Sequence, residues 1–73
     1  MRMEYVVVTY PAERDVYVDG KYIGKTGETL RVERGHHTFG LGEPLDYQPE
    51  LVEMNVPRTT RIKPLHVEDF HPL

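Results

Sequence analysis

Apolar and polar residues alternate along most of this chain with a period of two, not the period of 3.6 that marks an amphipathic helix. In DVYVD, residues 15–19, the two valines share one face of a strand, and the polar residues and Tyr17 share the other. The same alternation recurs in TLRVE, residues 29–33, in HHTFGL, residues 36–41, and in LVEMNV, residues 51–56. The pattern therefore predicts a protein built from short β-strands.

Asp19 and Gly20 form the strongest turn signal in the sequence. A two-residue Asp-Gly loop between alternating segments is typical of a type I′ β-hairpin, because that turn requires positive φ at both central residues. Such a loop sets the register of the hairpin and places Tyr17 opposite Tyr22. The two tyrosines are then expected to meet on the face that points away from the core.

The same register places Ile23 opposite Val16, and Ile23 is therefore expected on the core face. Gly24 is predicted to end this short strand. In the polar stretch KTGE that follows, Gly27 is free to adopt a left-handed turn conformation.

Two further strand pairs are predicted. The segments on either side of Gly35 form a second hairpin, and residues 51–56 and 59–65 form a third pair around Pro57. The continuous valines of EYVVVTY, residues 4–10, suit a strand covered on both faces. Together these give about seven short strands, which predict an all-β fold, a small sandwich or a partly open barrel.

Composition indicates one small domain with modest intrinsic stability. The chain has 73 residues, 38% of them apolar, and no cysteine, so neither a large core nor a disulfide stabilises it. Residues 1–65 are predicted to form a single β domain, and residues 66–73, which lack a clear period, a C-terminal extension that is docked or frayed. The lack of serine and the single Asn55 and Gln48 are typical of a heat-adapted or GC-biased source.

Charge and hydropathy narrow the classes of partner. The net charge is −3 with both signs interspersed, so no basic field is present to bind nucleic acid. The apolar run Val6 to Val8 is too short for a signal peptide or a membrane-spanning helix. The chain as written is expected in the cytoplasm without membrane insertion, and outside it if this is a fragment of a longer protein.

Catalytic motifs and cofactor motifs are lacking in the sequence. The triplet GKT at Gly24 to Thr26 resembles the end of a phosphate-binding loop, but Asp19 stands where that loop needs its first glycine, and a strand pattern follows in place of a helix. Without serine or cysteine, nucleophilic catalysis has no recognisable nucleophile and base. We therefore expect no enzymatic activity and no cofactor.

Four histidines raise the alternative of a metal-binding protein. His36 and His37 are adjacent on a predicted strand and point to opposite faces, so they do not share an ion simply. His37 combined with His66, Glu68 and His71 of the tail is the remaining candidate ligand set. Its formation depends on how the tail folds.

Binding through the outer face is the leading functional hypothesis. Tyr17, Tyr22 and the neighbouring Lys21 are candidate contacts, and unpaired edge strands can add a strand from a protein partner or a second copy. The alternative is a carbohydrate or cell-envelope binding module in which the tyrosines stack on sugars. Tyr47, in the long segment 42–50, is expected to close the end of the sandwich.

Between residues 11 and 56 the chain resembles a PEGA domain, a small all-β module of bacterial and archaeal proteins that often belong to the cell surface or flank other domains. The family pattern runs from a strand into Val-Asp-Gly, through a Gly-x-Thr step and an apolar strand, to a Gly-x-His hairpin and a Tyr-x-Pro loop. The resemblance implies a fold whose recurring residues are turn and core positions, with no catalytic set. The matching residues are Pro11, Val16, Val18, Asp19, Gly20, Gly24, Thr26, Leu30, Gly35, His37, Phe39, Tyr47 and Pro49.

Overall fold

The computed structural model describes residues 2–73, which contain nine β-strands and no helix. The all-β prediction is confirmed, although the strands are more numerous than the seven expected. In chain order they are β1 (Met3–Val8), β2 (Asp15–Val18), β3 (Lys21–Lys25), β4 (Leu30–Glu33), β5 (Gly35–Gly40), β6 (Tyr47–Gln48), β7 (Val52–Val56), β8 (Leu65–Val67) and β9 (His71–Pro72).

The strands form three open sheets. A three-stranded sheet has the order β4-β1-β8, a four-stranded sheet the order β3-β2-β5-β7, and β6 pairs with β9. The two larger sheets share one core, because the period-two pattern turns one face of each strand inward. That core is formed mainly by Val6, Val8, Leu30, Val32 and Val67 from the first sheet and by Val16, Val18, Phe39, Val52 and Val56 from the second.

The predicted hairpin around Gly35 is wrong. β4 pairs with β1, and β5 pairs with β2 and β7, so the chain crosses from one sheet to the other at this point. Gly35 permits the crossing with φ of +124°, a conformation that disfavours side chains. The alternation of apolar and polar residues identified both strands and their inward faces. It contains no information about which other strand each of them pairs with.

The predicted pairing of residues 51–56 with 59–65 is also wrong. β7 pairs with β5, residues 57–64 form no strand, and β8 joins β1 in parallel. The cause is a set of hydrogen bonds between Thr59 and β1. These bonds direct residues 57–64 away from β7. The Tyr5 amide donates to Thr59 Oγ1 at 2.7 Å, and the Thr59 amide donates to Glu4 Oε1 at 2.7 Å.

The first hairpin has the predicted turn and tyrosine pair but a different inner register. Tyr17 lies opposite Tyr22, whereas a register shift places Val16 opposite Gly24, and Ile23 is 38% exposed. The prediction that Ile23 joins the core is therefore wrong, as is the prediction that Gly24 ends the strand. A Cβ on Gly24 would lie 2.5 Å from Leu30 Cδ2, so Leu30 occupies the core space in front of this glycine.

The C-terminal residues pack against the end of the core. Val67 and Phe70 are buried, and the Phe70 ring meets Tyr47 edge to face at 5.7 Å between centroids. β9 pairs with β6, and the Leu73 amide donates to the Asp46 carbonyl at 3.0 Å. The tail thereby braces the long segment between β5 and β7.

Glu4 is a buried carboxylate in β1 that joins two distant parts of the chain. Its Oε1 accepts the amide and the hydroxyl of Thr59 at 2.7 and 2.8 Å, and its Oε2 accepts Nε and Nη2 of Arg34 at 2.9 and 2.8 Å. These hydrogen bonds lower the pKa of Glu4 from 4.5 to about 2. The bond from the Thr59 amide has the largest effect, followed by those from the Thr59 hydroxyl and Arg34.

This depressed pKa predicts a specific loss of stability in acid. A group whose pKa is lower in the folded state stabilises the fold fully above its ordinary pKa, and the contribution is lost as pH falls from 4.5 towards 2. Urea midpoints measured between pH 6 and pH 2.5 are expected to fall more steeply for the wild type than for Glu4→Gln. Parallel curves for the two proteins would contradict the prediction.

Candidate functional site

An open groove of about 700 Å³ lies on the face of the four-stranded sheet that points away from the core. We call it the sheet groove. Its walls come from β2, the end of β5 and the segment that connects β5 to β7. Its apolar and glycine lining consists of Tyr17, Gly20, Gly40, Gly42, Leu45, Tyr47 and Leu51.

Two glycines shape the floor of the sheet groove. A Cβ on Gly40 would lie 3.0 Å from Leu51 Cδ2, and one on Gly42 would lie 2.6 Å from Tyr17 Cε1. Leu51 and Tyr17 therefore pack directly onto glycine backbone and form opposite walls. Gly42 also has φ of +72°, a conformation that favours glycine. A glycine at this position therefore permits both the turn and the close packing of the Tyr17 ring.

Arg14 holds the connecting segment in place. Its guanidinium donates to Asp46 Oδ1 at 2.7 Å and to the carbonyls of Gly42 and Pro44 at 3.3 and 2.7 Å. The same group lies 5.1 Å from the centroid of the Tyr47 ring, within cation–π range. Sequence reasoning missed Arg14, because its partners are about 30 positions away and no local pattern marks them.

Tyr47 fills the end of the sandwich, as the sequence predicts. The residue is 5% exposed, and its hydroxyl accepts the Leu41 amide at 3.1 Å. Its ring meets Tyr10 edge to face with centroids 6.3 Å apart. This buried residue also lines the sheet groove.

The predicted contact residues occupy different environments. The rings of Tyr17 and Tyr22 are 6.1 Å apart at 70° to each other, an edge-to-face pair. Tyr17 is half-buried and lines the sheet groove, whereas Tyr22 is 54% exposed beside it. Lys21 is exposed and lines a separate, smaller opening of about 230 Å³.

The rim of the sheet groove is acidic. Asp19, Glu43 and Glu50 line it, and Leu45 and Leu51 are 52% and 59% exposed. Asp19 pairs with His37, whereas Glu43 and Glu50 form no ion pair with any residue from 2 to 73. The groove therefore combines exposed aliphatic walls with two uncompensated carboxylates.

His37 serves the hairpin turn. Its Nδ1 lies 2.6 Å from Asp19 Oδ2, its Nε2 lies 2.8 Å from the Glu33 carbonyl, and Asp19 Oδ1 accepts the Thr38 amide. Both ring nitrogens face acceptors, so only the imidazolium donates to both. The hydrogen bond between His37 and Asp19 is the largest influence on both groups. It raises the pKa of His37 and lowers the pKa of Asp19.

These opposed shifts predict a pH window for the turn contact. The His37 contribution is fully present below its ordinary pKa of 6.5 and is lost as pH rises through the higher folded value. The Asp19 contribution is present above 3.8 and is lost as pH falls below it. Urea midpoints of the wild type are expected to fall between pH 6 and pH 8.5, and His37→Gln removes this fall. The exposed neighbour variant His36→Gln is the matched control and is expected to retain it; equal profiles for the two variants would refute the assignment.

The other histidine candidates do not converge. His66 lies in β8, His71 lies in β9 opposite Gln48, and Glu68 is exposed between these strands. Across residues 2–73, no three His, Asp or Glu side chains are arranged to hold a metal ion. The candidate set His37, His66, His71 and Glu68 is thus not assembled by this fold.

Lys25 and Thr26 of the triplet GKT form contacts with other residues of the fold. Lys25 forms an ion pair with Asp15 at the end of the first hairpin. Thr26 is buried, and its hydroxyl accepts the Arg14 amide at 2.9 Å and donates to the Ala12 carbonyl at 3.1 Å. In the described part of the chain no helix follows to bind a phosphate, and none is of the length and apolar character needed to cross a membrane.

Fold and site together define a small all-β module with an open, acidic-rimmed groove on one sheet. The family model of the PEGA domain matches residues 2–63, and the chain belongs to the PEGA domain family. This confirms the resemblance in the sequence and extends it to β1 and to the Thr59 segment. The family is noncatalytic. Searches of curated proteins and of solved structures found no match.

Proposed function

We propose that this PEGA domain is a noncatalytic interaction module that docks a segment of a protein partner in the sheet groove. The observation that carries the proposal is the pair of half-exposed leucines, Leu45 and Leu51, that line a concave surface. A cluster of exposed apolar side chains around a concavity is typical of an interaction site, whereas single exposed leucines are not.

The chemistry of the rim specifies the kind of segment. Glu43 and Glu50 favour a cationic ligand, because complementary charge steers association and disfavours acidic partners. The leucines and the Tyr17 ring favour an aliphatic or aromatic side chain in the centre. The preferred ligand is therefore a protein segment with an apolar residue flanked by lysine or arginine.

The edge strand β7 supports docking at this place. It is the last strand of the four-stranded sheet, it pairs with β5 through all five of its residues, and Leu51 immediately precedes it. The opposite edge, β3, has a register shift that interrupts a regular edge. A partner in the sheet groove can thus continue onto the backbone groups of β7.

Protein docking is better supported than carbohydrate binding. Sugars stack on flat aromatic faces, but the Tyr17 and Tyr22 rings are inclined by 70° and Tyr17 is half-buried against Gly42. Of these two tyrosines, Tyr22 is the more exposed, at 54%. Its position beside the sheet groove is compatible with a contact at the margin of a protein ligand.

Selection from a random-peptide display library tests the proposal. Selected peptides are expected to carry lysine or arginine beside an apolar residue and to shift the amide NMR signals of Gly40, Gly42 and Leu51. Leu51→Asp is expected to weaken their binding about tenfold, because the aspartate no longer offers an aliphatic surface to the peptide. Leu73→Asp, which removes an exposed aliphatic side chain that does not line the sheet groove, is the matched control and leaves binding unchanged. Peptides that bind Leu51→Asp as tightly as the wild type, or a selection that yields none, would refute the proposal.

A further inference from the structure

The segment between β7 and β8 presents an isoleucine at the apex of a closed turn. Thr60 and Lys63 exchange backbone hydrogen bonds of 3.3 and 3.1 Å, and Thr60 Oγ1 also accepts the Lys63 amide at 3.0 Å. Ile62 between them is 91% exposed. We call residues 60–63 the basic tip, because Arg61 and Lys63 flank this isoleucine.

The basic tip is anchored to the core. Thr59, immediately before it, binds the buried Glu4 carboxylate through its amide and its hydroxyl and accepts the Tyr5 amide. A turn that is ordered before binding loses little conformational entropy when it docks. The apolar apex is therefore displayed by a preorganised element.

Charge on the basic tip complements the sheet groove. Arg61 and Lys63 form no ion pair within residues 2–73, just as Glu43 and Glu50 form none at the groove. The tip thus has the composition that the groove favours, an exposed aliphatic residue between two cations. Both surfaces belong to the same chain.

The two surfaces are separated by β7 along the chain and are fixed to different sheets, because Thr59 before the basic tip is bonded to β1 of the three-stranded sheet. Leu51 of the sheet groove precedes β7, and the segment that bears the basic tip follows Val56 at its other end. A five-residue strand spans about 13 Å, at ~3.3 Å per residue. Contact between tip and groove is therefore favoured between two copies, head to tail, and not within one.

We propose that the occupant of the sheet groove is the basic tip of a second copy of this chain, with Ile62 between Leu45 and Leu51 and with Arg61 and Lys63 facing Glu43 and Glu50. This inference rests on the proposed function of the groove. A contact of this kind is heterologous and generates rings or open chains of subunits. Its small size places it among transient interfaces, and its charges make it sensitive to salt.

Sedimentation velocity across protein concentrations from about 10 µM to 1 mM tests this inference in the affinity range of weak interfaces. The weight-average mass is expected to rise above that of one chain with concentration, and less so in 0.5 M NaCl, where the Debye length is only a few ångströms. Ile62→Ser is expected to weaken association about tenfold, by loss of the buried aliphatic side chain. Leu73→Ser, at an exposed leucine that does not line the sheet groove, is the matched control and leaves association unchanged.

Charge reversal identifies the surfaces in contact. Glu43→Lys with Glu50→Lys, or Arg61→Glu with Lys63→Glu, is expected to abolish association, and the four changes combined restore it. A wild-type chain that stays monomeric at 1 mM, or association insensitive to Ile62→Ser, would overturn the second-copy inference. Neither result affects the peptide selection, which uses foreign ligands, so the two proposals fail separately.

Discussion

Gly42→Ala is expected to destabilise the protein by about 3 kcal/mol, against about 1 kcal/mol for Gly27→Ala. Both glycines have positive φ, 72° and 83°, so both substitutions introduce backbone strain of about 1 kcal/mol. Only at Gly42 does the added Cβ meet a neighbour, 2.6 Å from Cε1 and 3.2 Å from Cδ1 of Tyr17, whereas nothing lies within 4 Å at Gly27. The additional ~2 kcal/mol is the cost of overpacking against the Tyr17 ring.

Urea unfolding of the two variants measures the difference, and a double-mutant cycle assigns it. Replacing Tyr17 with leucine in the Gly42→Ala background is expected to recover about half of the additional loss, because the overlapping ring is gone. The same replacement in the Gly27→Ala background is the control and recovers none. Equal destabilisation by Gly42→Ala and Gly27→Ala would show that the Tyr17 ring moves aside freely and that Gly42 does not hold this wall of the sheet groove.

Arg14→Ala is expected to destabilise the protein by about 2–3 kcal/mol and to loosen one wall of the sheet groove. The guanidinium, in a side chain only 14% exposed, joins Asp46 to two carbonyls and lies against the Tyr47 ring. Its removal leaves the Pro44 carbonyl without this donor and opens space beside Tyr47. Charged hydrogen bonds in partly buried positions contribute more to the free energy of unfolding than surface ion pairs do. The destabilisation is therefore larger than that expected from the loss of an exposed ion pair.

Arg14→Lys separates charge from geometry. A lysine retains the positive charge but cannot donate to Asp46 and both carbonyls with one planar group, so it is expected to recover less than half of the stability. Amide hydrogen exchange of residues 42–48 measures the loosening directly, and faster exchange is expected in both variants. Full recovery of stability in Arg14→Lys would indicate that the positive charge near Asp46 fixes residues 42–48, and that the planar set of guanidinium donors is not required.

The candidate site was only partly visible in the sequence. The Asp19–Gly20 turn fixes the Tyr17–Tyr22 pair locally, so one wall of the sheet groove followed from a hairpin rule. The opposite wall contains Leu45, whose neighbours Pro44 and Asp46 are bonded to Arg14 about 30 positions earlier, and Leu51, which packs on Gly40. Likewise, Ile62 belongs to a predicted strand in the sequence, and it becomes an exposed apex because Thr59 is captured by Glu4, 55 positions away.

The amino-acid sequence by itself determined the all-β class, the inward face of most strands, the turn at Asp19–Gly20 and membership of the PEGA family, because alternation and turn chemistry act between near neighbours. Only the tertiary structure decided that β4 joins β1 and not β5, that Gly24 faces Leu30, and that the groove lies on one sheet while the basic tip is fixed to the other. The physical reason is that a period of two specifies which side of a strand is buried but is indifferent to the identity of the neighbouring strand. That choice is made by the hydrogen bonds and packing of residues far apart in the chain, such as Glu4 with Thr59.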